Sequence, residues 1–191
     1  MEAIRKILRE VLDITPDEWD YFSSHLKQQQ LSAKQFLVKT GQIARQIVFI
    51  DQGLLRSYHY LNGKEVNTYF ACDGQFISAY ASFISQTASA ENVEAMEDCQ
   101  LYSLSHQALQ DCYDRFPRFE KLGRYLAEQT YLCVIERTHL MQTRTGREKY
   151  EHFIASYPSK IVQSLPQHMI ASFLGMAPES LSRIRRELSI S

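Results

Sequence analysis

Short β-rich runs follow one another between residues 30 and 104, and this pattern restricts the fold more than any other feature of the sequence. Glycines and an Asn62-Gly63 pair separate the runs, and Asn-Gly between alternating apolar residues is a strong signal for a two-residue hairpin. Many short strands with regular turn signals are typical of an antiparallel barrel or jelly roll. The predicted strands are Gln35–Lys39, Gln46–Asp51, Leu54–Tyr60, Val66–Ala71, Asn92–Met96 and Gln100–Leu104.

Helical patterns flank this region on both sides. Residues 1–29 are predicted to be helical, with Thr15-Pro16 as the N-cap and first position of one helix and Glu18 at its capping-box position. On the other side, Ser105 is predicted to begin a short helix that ends near Phe116-Pro117.

The longest uninterrupted helical pattern covers residues 118–143, and a helix of roughly 25 residues is about 37 Å long. One small roll is too short to cover such a helix. The stripe along it is therefore predicted to be buried by a second copy of the helix or by the chain's own domains, and a homodimer through residues 118–143 is the favoured prediction. The stripe consists of Leu122, Leu126, Gln129, Cys133, Glu136 and Leu140.

The segment 167–187, QHMIASFLGMAPESLSRIRRE, has the spacing of a helix-turn-helix. Gly175 is predicted to end the first helix, because glycine readily adopts the left-handed conformation of a tight helix end. Pro178 suits the first position of the second helix, and Leu181 and Ile184 follow on its inner face.

The polar residues of this segment have the positions that a DNA-reading unit requires. With Leu181 and Ile184 inward, Arg183 can donate two hydrogen bonds to a guanine and Glu179 can accept one from a cytosine amino group. The other polar residues suit phosphate contacts. The predicted DNA-binding residues are Gln167, His168, Glu179, Ser180, Ser182, Arg183, Arg185 and Arg186. A generic pair of packed helices with a solvated arginine face is the alternative interpretation of this segment alone.

Charge is distributed unevenly along the chain. The net charge is −1, of which residues 144–191 contribute +3 and residues 1–143 contribute −4. A basic end on a mildly acidic body favours local contact with phosphates. The four cysteines are far apart and predict free thiols rather than a metal site.

No apolar run approaches the ~20 residues that span a bilayer, and the N-terminus lacks the pattern of a signal peptide. We therefore expect a cytoplasmic protein without a membrane partner. An enzyme on a cupin-like barrel is a competing class, but such barrels need a His/Glu metal set, and the sequence has no H-x-H or H-E-x-x-H spacing. A non-enzymatic protein is predicted.

Two stretches, FIDQGLLRSYHYLNGKEVNTYF (49–70) and IASFLGMAPESLSRIRREL (170–188), resemble the Crp/Fnr family of bacterial transcription regulators in this order and spacing. The resemblance implies an α+β fold: an N-terminal antiparallel β-roll or jelly roll of the cyclic nucleotide-binding type flanked by helices, a long dimerisation helix and a C-terminal winged-helix-like helix-turn-helix domain. The corresponding division of the chain is 1–117, 118–143 and 144–191.

The same resemblance implies a dimer whose two recognition helices, at about 178–188, read a two-fold symmetric operator in double-stranded DNA, with a small effector in the roll and RNA polymerase as a further partner. Glu179 and Arg183 match two of the family's base-reading residues. Pro178 replaces an arginine of the best-known members, so the half-site sequence is not implied.

The roll departs from the cyclic nucleotide-binding pattern. The family's Gly-Glu pair and phosphate-binding arginine are missing from Asp73–Ser78 and Ser89–Glu91, and Glu91 would repel a phosphate. Cyclic AMP is therefore not expected, and no cofactor is identified. The candidate effector pocket, either open to an unidentified ligand or filled, consists of Ser78, Tyr80, Ser82, Phe83, Thr87 and Ser89. A sensor whose terminal helices dock a protein instead of DNA is the alternative function.

Overall fold

The computed structural model describes residues 1–190, with side chains up to residue 188, so Ser191 of the predicted third part lies outside the described residues. Two helices precede a two-sheet β-roll, and a long helix connects the roll to a C-terminal helical region. The helices are α1 (Glu2–Leu12), α2 (Pro16–Ser24), α3 (Tyr80–Ser85), α4 (His106–Arg115), α5 (Glu120–Thr143), α6 (Gly146–Ser156), α7 (Ser159–Ser164), α8 (Gln167–Phe173) and α9 (Pro178–Ile190).

The roll consists of two antiparallel four-stranded sheets, in the orders β1-β8-β3-β6 and β2-β7-β4-β5. The strands are β1 (Lys27–Leu31), β2 (Phe36–Val38), β3 (Gln46–Gln52), β4 (Leu54–Leu61), β5 (Lys64–Cys72), β6 (Phe76–Ile77), β7 (Asn92–Ala95) and β8 (Cys99–Ser105). All six predicted runs form strands, which confirms the predicted α+β fold with a jelly-roll-like domain.

The β4–β5 hairpin turns at the predicted Asn62-Gly63 pair. Both residues have positive φ, 52° and 76°, and Leu61 pairs with Lys64 across the turn. Positive φ at both central positions is what a type I′ turn requires, and its twist matches that of the flanking strands.

Two strands were not predicted from the sequence. Residues 27–29 were expected to be helical, but they begin β1, which pairs along its whole length with β8. β6 has only two residues, Phe76 and Ile77, and it pairs with β3. The sequence prediction for residues 27–29 was therefore wrong, because the ladder with β8 outweighs the local preference of a polar KQQQL segment.

Helix ends follow local capping chemistry. Thr15 and Glu18 form a reciprocal capping box at α2, and Thr145 and Glu148 form another at α6. Ser105 caps α4 by accepting a hydrogen bond from the backbone of Ala108, as predicted. A 3-10 turn precedes α5, which begins two residues later than the sequence suggests.

Two apolar cores hold the molecule together. The larger lies within the roll and includes α1, α2, α4 and the first turns of α5. The smaller joins the C-terminal helices to the outside of the second sheet, where Leu54, Phe70 and Cys72 pack with Phe153, Ile161 and Phe173. The C-terminal region is therefore docked on the roll.

Residues 144–190 contain helices only. The expected winged-helix-like domain would also contain the strands of a wing. This part of the described chain has no such strands. The C-terminal region is a helical domain.

Candidate functional site

The turn between α8 and α9 has the geometry of a Schellman motif. The backbone N–H of Met176 donates to the carbonyl of Ala171 at 3.0 Å, and the N–H of Gly175 donates to the carbonyl of Ser172 at 3.2 Å. Gly175 has φ +64°, and a Cβ at this position would lie 3.1 Å from the Sδ of Met141. The left-handed backbone conformation thus favours glycine, and a side chain here would also require the thioether of Met141 to shift slightly.

The structure brings the predicted DNA-binding residues to one end of the molecule, on α8 and α9. Leu181 and Ile184 are buried, as predicted, and they fix which face of α9 points outward. Glu179, Arg183 and Arg186 share that outer face at helical spacing. Gln167, His168, Glu179, Ser182, Arg183 and Arg186 are exposed, and Ser180 and Arg185 are half-buried.

A groove between α6 and α9 adds two basic residues that the sequence analysis did not select. Arg147 and Lys149 of α6 line this groove together with Arg183, and its volume is about 550 Å³. Arg147 also donates to Glu151 at 2.8 Å. The only signal in the sequence was the overall basic charge of residues 144–191, because α6 and α9 are far apart along the chain.

Helix α8 is fixed to β5 through its serine. The backbone N–H of Asn67 donates to the Oγ of Ser172 at 3.1 Å, and that hydroxyl donates to the carbonyl of Glu65 at 2.9 Å. The first helix of the helix-turn-helix is therefore hydrogen-bonded to the backbone of β5 through the side chain of Ser172.

Arg137 connects the long helix to both domains. One of its terminal nitrogens, Nη2, donates to the carbonyls of Asn67 in β5 and Phe173 in α8, at 3.2 Å each. The guanidinium also lies 5.0 Å from the ring centroid of Phe173, which packs edge-on against Phe70. Burial lowers the pKa of Arg137. This charge is held at the domain junction by two carbonyls and an aromatic ring.

A second polar link joins α7 to the roll. The ammonium group of Lys160 donates to Asp73 at 2.8 Å and lies 2.7 Å from Glu97. Burial acts to raise the pKa of Asp73, but the hydrogen bonds from Lys160 and from the backbone of Gly53 lower it overall.

Arg56 is the most deeply buried cation at the domain junction, with 4% of its surface exposed. Its guanidinium donates to Glu65 and to Glu94 at 2.6 Å each, and lies 3.8 Å from the Sδ of Met169 in α8. Burial acts to lower the pKa of Arg56, but the two carboxylates raise it overall. The side chain therefore stays charged and organises the surface that α8 contacts.

We expect Arg56→Ala to lower the free energy of unfolding by about 3 kcal/mol, because removing one partner leaves Glu94 charged in a buried site. Chemical denaturation followed by circular dichroism measures this change. Arg45→Ala removes an equally charged but exposed side chain and serves as the control. A loss below about 1 kcal/mol for Arg56→Ala, within the range of exposed pairs, would contradict the assigned role.

The two faces of α5 differ from the predicted arrangement. Of the predicted stripe, Leu122 and Leu126 are buried in the chain's own core, Cys133 and Leu140 are half-buried, and Gln129 and Glu136 are exposed. The chain itself thus covers the first, apolar part of this stripe, whereas the two polar members further along it face solvent. A different apolar face is exposed, with exposed fractions of 64% for Tyr131, 58% for Leu132, 55% for Val134 and 47% for Ile135.

A cavity of about 720 Å³ lies between the roll and α5. Of the six predicted pocket residues, it is lined by Ser78 and Tyr80 only. Ser82 is buried and hydrogen-bonds the backbone of Ala44 and Thr87, and Phe83 belongs to the core.

The remaining two predicted pocket residues stabilise the local loop. The Oγ of Ser89 bonds both backbone groups of Glu91, and the hydroxyl of Thr87 lies 2.7 Å from that of Ser85. Four of the six predicted residues thus do not line the cavity: Phe83 packs in the core, and Ser82, Thr87 and Ser89 form local hydrogen bonds in and beside the α3 loop.

The described residues contain no cluster of three or more His, Cys, Asp and Glu side chains placed to hold a metal ion. In the same part of the chain, no helix has both the length and the apolar character needed to cross a membrane.

The fold of this chain is shared with proteins of known structure. Residues 28–116 match the family model described as the cyclic nucleotide-binding domain. No curated protein sequence matches this chain. The fold of FixK2 from Bradyrhizobium japonicum superposes with a TM-score of 0.74 at 14% identity, over 86% of this chain and 85% of that one.

Two further solved structures extend over nearly the whole chain. The c-di-GMP-responsive global regulator CLP from Xanthomonas campestris has a TM-score of 0.69 at 14% identity, over 92% of both chains. A CooA mutant from Carboxydothermus hydrogenoformans has a TM-score of 0.71 at 17% identity, over 95% of this chain and 84% of that one. Residues 28–116 therefore match the cyclic nucleotide-binding domain, and the chain as a whole has the fold of these three solved structures, which is the fold that the sequence resemblance implies.

Proposed function

We propose that this protein is a dimeric, sequence-specific DNA-binding transcription regulator. The observation that carries the proposal is the outer face of α9, where Glu179, Arg183 and Arg186 project on a helix held by a buried Leu181 and Ile184. Such a helix enters the major groove and reads base edges with residues near its N-terminus. Arg147 and Lys149 beside it supply positive charge for the flanking phosphates.

The exposed face of α5 supports a dimer. Four neighbouring apolar side chains on one face of a long helix are costly to leave in water, and a second copy of the same helix across a two-fold axis would cover them. A two-fold dimer presents two copies of α9, which requires a two-fold symmetric operator.

The proposed regulator works without metal or cofactor and without catalysis, and cyclic AMP is not its effector. Glu91 lines the cavity, where an arginine would be needed to bind a cyclic phosphate. Its place of action is the cytoplasm, where double-stranded DNA and RNA polymerase are its partners.

Selection of random duplexes with the purified protein tests this proposal. We expect one enriched sequence with two inverted half-sites about one helical turn, ~10 base pairs, apart. Affinity for it should fall steeply with salt, because the contacts to phosphates release counterions. Fluorescence polarisation at several salt concentrations measures both the affinity and the salt slope, and a scrambled duplex is the control.

Two results of this selection would contradict all or part of the proposal. If no sequence is enriched while pull-down recovers one defined protein partner, the terminal helices dock a protein and the proposal is wrong. Enrichment of a single asymmetric half-site would retain DNA binding but contradict the dimer.

A further inference from the structure

The cavity between the roll and α5 has mainly aromatic and aliphatic walls. Strands β5 and β6 and helix α3 form one side, and the middle of α5 forms the other. A volume of about 720 Å³ is within the range that holds a ligand of drug-like size. Its aromatic lining residues are Tyr69, Phe76, Tyr80, Tyr125 and Tyr131.

The electrostatic character of the cavity depends on one residue. Among the lining residues that the structure describes, Glu91 is the only one that carries charge at neutral pH, and lysine and arginine do not occur in this lining. The Oε2 atom of Glu91 accepts a 3.3 Å hydrogen bond from the hydroxyl of Thr68. A half-buried carboxylate with this single weak donor retains the capacity to accept a stronger one.

Burial raises the pKa of the Glu91 carboxyl, and the hydrogen bond from Thr68 only partly offsets this effect. The ionised carboxylate is therefore destabilised in the empty cavity. A cation placed beside it would relieve this cost, whereas an anion would increase it. The surrounding tyrosine and phenylalanine rings also attract cations through their faces.

We infer that this cavity binds a small organic cation, an aryl-alkyl amine whose ammonium group pairs with Glu91 and whose ring packs among the aromatic side chains. The inference deepens the proposed function by naming the class of effector that the regulator would sense. A cyclic nucleotide carries a negative charge, whereas the ligand inferred here carries a positive one.

Three probes of nearly the same shape test the sign of this charge: tryptamine, the neutral tryptophol and the anionic indole-3-propionate. Isothermal titration calorimetry on the full chain without DNA measures their affinities. We expect tryptamine to bind roughly ten- to a hundredfold more tightly than tryptophol, the range of a charge-assisted hydrogen bond, and indole-3-propionate to bind most weakly. Equal affinity for the three probes, or no heat from tryptamine, would overturn the inference.

Glu91→Gln keeps the shape of the side chain and removes its charge. We expect this variant to bind tryptamine no better than tryptophol, while Glu10→Gln, an exposed position on α1, retains the preference. A Glu91→Gln protein that keeps the tenfold preference would contradict the assignment of the ammonium to this carboxylate.

The melting temperature shows that Glu91→Gln is folded. An acid with a raised pKa in the folded state costs stability once the pH exceeds its unfolded pKa, so removing the charge should raise the melting temperature at pH 7. These measurements do not involve DNA. Failure of ligand binding is therefore distinguishable from failure of the proposed function, which the duplex selection tests separately.

Discussion

Arg183→Ala should weaken binding to the selected operator by ~30-fold or more. Each bidentate arginine–guanine contact contributes about 1–3 kcal/mol of discrimination, and a symmetric dimer loses two of them. Because Arg183 is exposed on α9 while Leu181 and Ile184 remain in place, the substitution should not alter the fold. Fluorescence polarisation with the selected duplex measures the affinity, and the melting temperature checks that the protein is intact.

Arg9→Ala is the matched control, because it removes the same charge from an exposed site on α1 in the other domain. Its effect on operator affinity should be small and independent of sequence. If Arg183→Ala weakens specific and scrambled duplexes by the same factor, Arg183 contacts phosphate and not a base. If it leaves both unchanged, α9 is not the recognition helix.

Ile135→Glu should convert the dimer to a monomer, with a dimer dissociation constant raised at least about a hundredfold. Ile135 is 47% exposed in the single chain and lies in the middle of the apolar face of α5. In a two-fold dimer the substitution buries two like charges near each other, and an unpaired buried charge costs ~3–5 kcal/mol. Sedimentation equilibrium gives the dissociation constant directly.

Ile154→Glu provides the comparison, since Ile154 is 43% exposed but lies on α6, away from this face. It should leave the dissociation constant unchanged. If both variants remain dimeric, or if the unmodified protein is a monomer at micromolar concentration, the exposed face of α5 is not the interface. If the monomeric Ile135→Glu variant also fails to bind the operator, dimerisation is required for the proposed DNA binding.

The sequence predicted those parts of the fold that depend on neighbouring residues. The Asn62-Gly63 hairpin, the Thr15 and Ser105 caps and the end of α8 at Gly175 were all correct, because a turn or a cap is decided by a few consecutive residues. β1 was missed because its strand conformation depends on pairing with β8, more than 60 residues away.

The candidate functional residues also differ in whether the sequence could predict them. The outward face of α9 was predictable, since the periodicity of a single helix places Glu179 and Arg183 opposite Leu181 and Ile184. The cavity was not predictable in detail: of the six proposed residues, three form hydrogen bonds in and beside the α3 loop and Phe83 packs in the core. The cavity walls come from α1, from α5 and from several separate segments of the roll, and only the fold brings these together.

For this protein, the sequence by itself determined six of the eight strands among the described residues, the turns and caps named above and the outward face of the last helix. The tertiary structure decided which face of α5 is buried and how α8 attaches to β5 through Ser172, Asn67 and Arg137. It also decided that Glu91 faces an aromatic cavity. The physical reason is that periodicity and capping act over one or two helical turns, whereas burial and charge pairing depend on segments that meet only when the chain is folded.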